Sequence, residues 1–195
     1  MWEHYEGKDY MYSMSKVCWF NDLLSFSVAW NSIPHRKLTD VFYNSEIKKA
    51  KYAPVTGELT RINALSLFLN EVHPSYEDVI NKHGGQFNIE FRTQLPFLQK
   101  LWEKLVFAVI TEEFKNVDMI SGVRLLDKST SSRENVFRIE VWTKINDEQK
   151  AVINELKKTL EEDFIQMMMD DDDTYDNKGK ESKGHFNDWI KFKNH

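Results

Sequence analysis

Apolar residues fall along this chain in two alternating spacings. From Ser25, the positions Phe26, Ala29, Trp30 and Ile33 recur at helical intervals and Pro34 stops the run, which predicts a short helix. After Gly84 and Gly85, Phe87, Ile89 and Phe91 alternate with Asn88, Glu90 and Arg92, the period of a half-buried strand. Leu98, Leu101, Trp102, Leu105 and Val109 then form the stripe of a helix about four turns long. Residues 119–126 and 136–143 are rich in apolar and β-branched side chains, and the polar DKSTSSREN between them makes a hairpin of the two. Asn146 with Gln149 three residues on reads as a capping box for a third amphipathic helix carrying Val152, Ile153, Leu156 and Leu160. A further strand is expected over 164–169. A charged, mobile loop is expected over 170–184, before HFNDWIKF returns the chain to the sheet. Residues 35–61, with Pro54 and Gly57, read as an irregular excursion holding a turn of helix near Phe42. These elements predict an α+β fold, with helices on one face of an antiparallel sheet and the other face free.

Composition narrows the classes. A chain of 195 residues, 41% hydrophobic and 13% aromatic, is expected to form one compact domain over 1–195. No stretch approaches the roughly 18 apolar residues of a membrane span, and MWEHYEGKDYMYSMS lacks the apolar core of a signal peptide. A soluble monomer away from membranes is expected. Cys18 is the only cysteine, which excludes a disulfide framework or a thiolate zinc site within the chain and fits the cytosol or the nucleus. The net charge of -5 argues against tracking a long phosphate backbone, although a partner with a few phosphates fits. MMMDDDDTYD lacks the glycine and terminal glutamate of an EF-hand, the histidines form no HExxH, and neither a phosphate loop nor a GxSxG elbow occurs. No metal, cofactor or catalytic residue is expected.

Two stretches carry candidate chemistry. In VFRIEVWT, alternation sends Phe137, Ile139 and Val141 to the core, and Arg138, Glu140 and Trp142 to the free face. An indole beside a guanidinium there is either a ligand contact or a rim tryptophan covering the sheet edge. In HPSYEDVINKHGGQF, a proline-led loop holds an aromatic and two adjacent carboxylates ahead of a glycine pair. A Tyr-Glu pair taken alone is more often part of a solvated connector.

Its surroundings change that weighting. NALSLFLNEVHPSYEDVINKHGGQF resembles the cap-loop region of the translation initiation factor 4E family, in which an aromatic and Glu-Asp precede an Asn-Lys-basic-Gly-Gly-aromatic segment. The helix bearing Trp102 followed by AVITEEF, then SGVRLLDK and VFRIEVWTK, are similar to that family's later motifs, and WFNDLL and SVAWNSIP to its earlier ones, so the likeness runs from about Trp19 to Phe164. It implies a curved antiparallel sheet with about three helices on the convex face and a site for the 7-methylguanosine cap of mRNA on the concave face. The resemblance implies that Tyr76, where the family usually has tryptophan, stacks on the methylated base. Trp19 or Phe20 would be the opposing ring, Glu77 would accept from the guanine edge, and Trp142 would touch the methyl group. Lys128 and Arg138 would meet the phosphates, and Lys178, Lys180 and Lys183 would reach a second nucleotide unless they are simply solvated. Gln86 stands where the family often has a basic residue, and Glu140 brings a negative charge near the phosphate path with no evident reason. Trp30 matches a dorsal residue that holds initiation factor 4G or the 4E-binding proteins, and is equally readable as core. Glu103 and Lys104 depart from the family's partner surface, as expected of a divergent isoform. Two other classes stay open: a 4E-like interaction scaffold or translational regulator with decayed cap affinity, and an enzyme using Glu77 and Asp78 as acid and base. The last is the weakest, because adjacent residues on an extended chain point apart.

Overall fold

The computed structural model describes residues 1–6, 13–33, 37–42, 51–52, 59–130, 132–169 and 190–195. Seven strands form one curved antiparallel sheet: β1 (Trp2–Tyr5), β2 (Met14–Lys16), β5 (Ile62–Phe68), β6 (Gly85–Arg92), β7 (Ile120–Asp127), β8 (Val136–Thr143) and β9 (Ile190–Asn194). Their order across the sheet is β2-β1-β5-β7-β8-β6-β9, and β3 (Lys51–Tyr52) with β4 (Leu59–Thr60) makes a separate two-stranded ribbon. The three helices are α1 (Leu23–Ser32), α2 (Leu95–Ile110) and α3 (Lys150–Met169).

The helices share one core with one face of the sheet. Phe87, Ile89, Val123, Leu125, Phe137, Ile139 and Val141 project from the strands onto Phe26 and Trp30 of α1, Leu98, Leu101, Trp102 and Leu105 of α2, and Leu156, Leu160 and Phe164 of α3. The alternation of each central strand thus leaves Gln86, Asn88, Arg124, Arg138, Glu140 and Trp142 on the opposite face, where Phe68, Val72 and Trp142 form a second, small cluster. Among the described residues no helix is long and apolar enough to cross a membrane.

Local chemistry sets the helix ends. Asp22 caps α1 by accepting from the Ser25 backbone N–H at 2.7 Å, and Ser25 answers toward the cap backbone. The helix begins before the apolar period does because Leu23 and Leu24 point to solvent. Asn146 and Gln149 do form a capping box, heading a 3₁₀ turn (Asp147–Gln149) that runs into α3.

Two expectations need revision. Residues 164–169 are the last turns of α3 and not a strand, since Leu156, Leu160 and Phe164 continue a single buried stripe at steps of four. The excursion over 35–61 is partly ordered into the core: a 3₁₀ turn at Leu38–Asp40 sinks Leu38 and Phe42 completely, and Gln99 Oε1 accepts from the Leu38 backbone N–H at 2.6 Å. The expected loop over 170–184 lies outside the described residues, and so do 185–189 of the returning segment, whose last residues are β9.

Candidate functional site

The loop from Leu69 to Gly84 is built around a buried amide. Asn81 donates through Nδ2 to the carbonyls of His73 at 2.9 Å and Ser75 at 3.1 Å, and its Oδ1 accepts from Ser121 Oγ at 2.8 Å, which pins the loop to β7. Asp78 accepts from the backbone N–H groups of His73 and Ile80, both at 2.8 Å. That carboxylate shapes the loop, which leaves the acid and base reading of Glu77 and Asp78 without its second member. Glu77 is exposed, its own N–H donates to Ser75 Oγ at 3.2 Å, and among the described residues its carboxylate has no partner. Gly84 lets the loop end flush against β8: a Cβ there would fall 1.9 Å from the Thr143 carbonyl oxygen.

This frame lays the Tyr76 ring flat on the Trp142 indole, with centroids 4.8 Å apart and planes 8° from parallel. Phe68 meets the same indole edge-on at 5.3 Å, and His195 lies 4.4 Å from it. Trp142 is on the face the sequence assigns to it, yet it is fully buried, so the free indole expected there is corrected to a covered one. Its Nε1 donates to Glu140 Oε2 at 3.1 Å. Tyr76 keeps 45% of its surface open, which leaves the outward side of the ring available to stack. His195 was not foreseen: it is 119 residues from Tyr76 in sequence, and β9 brings it in, where its backbone N–H donates to the Gly84 carbonyl at 3.1 Å and its Nδ1 lies 2.8 Å from the Asn81 carbonyl oxygen. Burial pushes the His195 imidazole below its ordinary pKa of 6.5, and burial followed by the nearby Glu140 carboxylate pushes the Tyr76 hydroxyl up.

Glu140, unexplained from the sequence, is 2% exposed and sits between Arg124 Nη1 at 3.7 Å and Arg138 Nη1 at 3.8 Å. Two guanidiniums and an indole N–H are what a buried carboxylate requires. Arg124 was missed, although its phase in SGVRLLDK, opposite to Val123 and Leu125, places it on the open face, and the register pairs it directly with Glu140. Arg138 also holds Glu90 at 2.8 Å, and that hydrogen bond keeps the Glu90 carboxyl below its usual range, with Arg133 and Lys128 adding to the effect. Lys128 is exposed just past β7. Gln86 is 3% exposed, donates to Asn88 Oδ1 at 2.7 Å, and leaves its Oε1 without a partner.

The structure gathers Tyr76, Glu77, Trp142 and Arg138, with Lys128 at the far end of the same face, and does not bring Trp19 to them. Trp19 is 65% exposed on the stretch between β2 and α1, while Phe20 turns to the helix side and packs edge-on against Phe26 at 4.9 Å. Strand β2 is four inter-strand steps from β8, on the order of 15–20 Å. Residues 7–12, which join β1 to β2, and Lys178, Lys180 and Lys183 lie outside the described residues. Trp30 is 6% exposed and belongs to the core, with Phe26 at 5.7 Å and Phe107 at 6.1 Å. What reaches solvent on that side is Leu23, about two turns along α1 from Trp30, and Phe107, and Leu23 borders a groove of about 440 Å³ lined by Phe20, Asp22, Leu69, Val109 and Glu112 among others. Among the described residues no cluster of His, Cys, Asp and Glu could hold a metal ion.

A curved antiparallel sheet backed by three helices, carrying stacked rings and guanidiniums on the face away from them, defines an α+β domain whose candidate site is that face. The chain belongs to the eukaryotic initiation factor 4E family, whose model matches residues 1–188. It is 27% identical over 154 residues to a eukaryotic translation initiation factor 4E of Dictyostelium discoideum, covering 77% of this chain and 51% of that one. The chain spans about half the length of the curated relatives it matches. Its fold is shared with the C. elegans eIF4E-3 solved with the 4E-binding protein Mextli, at a TM-score of 0.59 and 18% identity over 93% of this chain and 91% of that one. A schistosome eIF4E solved with m7GpppG and a 4E-BP gives a TM-score of 0.56 at 17% identity over 82% and 80% of the two chains.

Proposed function

We propose that this chain, as a single domain over 1–195, binds the 7-methylguanosine cap of mRNA on its open face and recruits the message for translation initiation in the cytoplasm. The observation that carries this reading is the half-open Tyr76 ring, held on Trp142 directly beside the unengaged Glu77 carboxylate. A base stacked on Tyr76 gains roughly 1–3 kcal/mol, and methylation at N7 adds a cation-π component that plain guanine lacks. Glu77 offers two acceptor oxygens to the ring N–H and exocyclic amine of guanine, a charge-assisted pair that adenine cannot supply. Arg138 and Lys128 face the phosphates. Trp19 serves as the opposing ring when the stretch between β2 and α1 swings over the sheet, since β2 itself is hydrogen-bonded in the same sheet four strands from β8. Trp142 contacts the methyl group only when Tyr76 shifts off it. The convex face takes an initiation factor 4G-like or 4E-binding-protein-like helix over Leu23 and Phe107, with Trp30 as the floor beside them.

The covered Trp142 and the doubly paired Arg138 favour a second reading, a 4E-like scaffold that holds a protein partner while its cap affinity is weak. Retention on immobilised 7-methyl-GTP separates the two. Cap binding predicts elution by 7-methyl-GTP and far less by GTP; flow-through of a folded chain supports the scaffold, and equal elution by both nucleotides removes the cation-π argument.

A further inference from the structure

We infer that the edge strand β9 belongs to the anion site, with Lys191 and Lys193 taking the polyphosphate of the nucleotide whose base stacks on Tyr76; this rests on the cap reading above. The register carries the inference. Trp142 of β8 pairs with Gln86 of β6 and Gln86 with Lys193 of β9, while Glu140 pairs with Asn88 and Asn88 with Lys191. Residues opposite one another across neighbouring strands share a face, so both lysines project from the face that bears Trp142 and Arg138. The intervening residues fix that orientation: Ile190 is buried, and the Phe192 ring packs at 4.9 Å on Phe87 on the helix side. Gly85 makes room for it, since a Cβ there would lie 2.4 Å from the Phe192 ring.

Among the described residues, charge matching on this face leaves these two lysines unpaired beside the base site, with Lys128 unpaired at the far end. Arg124 and Arg138 are matched by Glu140 and Glu90, so the guanidiniums nearest the base site are largely neutralised within the fold. Lys191 and Lys193 are exposed and have no ion pair or hydrogen bond among the described residues. Two inter-strand steps, about 10 Å, separate β9 from β8, so lysine side chains reaching inward meet anions seated beside Arg138. Between them lies Gln86, whose buried Oε1 has no hydrogen-bond partner among the described residues. Part of the electrostatic gain from each added phosphate therefore comes from β9, beside that of Lys128.

The test is a tryptophan-fluorescence titration of the full chain with 7-methyl-GMP, 7-methyl-GDP and 7-methyl-GTP at several salt concentrations, repeated on the double variant Lys191→Ala, Lys193→Ala. The wild type should tighten with each phosphate. The double variant should keep its affinity for the monophosphate, lose about tenfold for the triphosphate, and show a slope of log K against log salt shallower by about 1 to 2. Lys191→Arg with Lys193→Arg should retain the gain, and an unchanged thermal midpoint identifies the loss as electrostatic. A double variant with the wild-type phosphate gain and salt slope overturns the inference alone, and so does a wild type that binds the monophosphate with no gain from further phosphates. A wild type that binds none of the three overturns the cap reading, and this inference with it.

Discussion

At the scale of single residues, the open face is governed by which cation each carboxylate holds. Glu90 engages Arg138 from an exposed position, and such a pair contributes about 0–1 kcal/mol to stability. Its larger effect falls on the ligand, because a guanidinium shared with Glu90 and Glu140 is partly spent before a phosphate arrives. Glu90→Gln should therefore raise affinity for 7-methyl-GTP severalfold while moving the urea midpoint little, and unchanged or weaker binding in calorimetry would refute this. Glu140 behaves differently. It is buried against Arg124 and the Trp142 N–H, so Glu140→Ala takes the shared carboxylate from a buried guanidinium and a buried indole N–H and should cost about 3–5 kcal/mol by urea unfolding. Much of this was legible in the sequence. Arg138 follows from period-two alternation, Tyr76 and Glu77 follow from the resemblance of their loop to that of the initiation factor 4E family, and Arg124 follows from alternation once β7 and β8 are set in register. His195 does not, because its place in the site depends on β9 pairing with β6 across more than a hundred residues of chain.

At the scale of elements, segments with charged side chains on the open face, such as Arg138 and Glu140 of β8, were legible, and those with small or apolar ones there, such as Ala64, Ser66 and Phe68 of β5, were not. The stripe of α2 and the alternation of β6 and β8 each leave a polar face, which is what makes a period visible. Strand β5 is buried at six of its seven positions, because its open-face side chains are covered too, and β1 is four residues long with Glu3 and His4 both buried. Neither shows an alternating pattern. The end of α3 was missed for the opposite reason, since a run of methionines and β-formers there outweighed the step-of-four stripe that tertiary packing uses. Phe164→Ala should cost about 3–5 kcal/mol in urea unfolding with loss of helical signal near the midpoint, whereas Glu162→Ala, which removes only an exposed ion pair to Lys158 at 3.7 Å, should stay within about 0.5 kcal/mol. Equal costs for the two would mean that α3 does not present Phe164 to the core.

At the scale of the whole molecule, the C-terminal strand meets the 69–84 loop at the half-buried His195 imidazole, His4 is buried within the sheet, and their protonation couples the site to stability. Burial lowers the pKa of His195, whose ring faces Trp142, Tyr76, the Glu140 carboxylate and the Lys193 ammonium. Burial lowers that of His4 well below 6.5, with Arg124 and His73 adding to the effect, while its Nε2 lies 2.7 Å from Ser66 Oγ. A histidine depressed in the folded state is neutral in both states above about pH 7, so it adds no slope there. Below the ordinary value of 6.5 the unfolded chain takes up protons that the folded chain refuses, and stability falls as pH falls toward the folded pKa. The imidazoles should accordingly add no slope to the urea midpoint from about pH 8 to 7, where the Met1 ammonium, pushed below its ordinary 8.0 by burial, adds a decline of its own, and should lower it from about pH 6.5 to 5, before the carboxylates titrate. Because His195 caps the edge of the Tyr76–Trp142 stack, the same step should increase acrylamide quenching of Trp142 ahead of global unfolding. His195→Phe keeps a ring in place without a titrating group and should remove that local quenching step while leaving the share of the stability decline owed to His4. A quenching step that persists in His195→Phe would assign it to another group, and a midpoint constant from pH 7.5 to 5 would show that neither imidazole is held neutral by the fold.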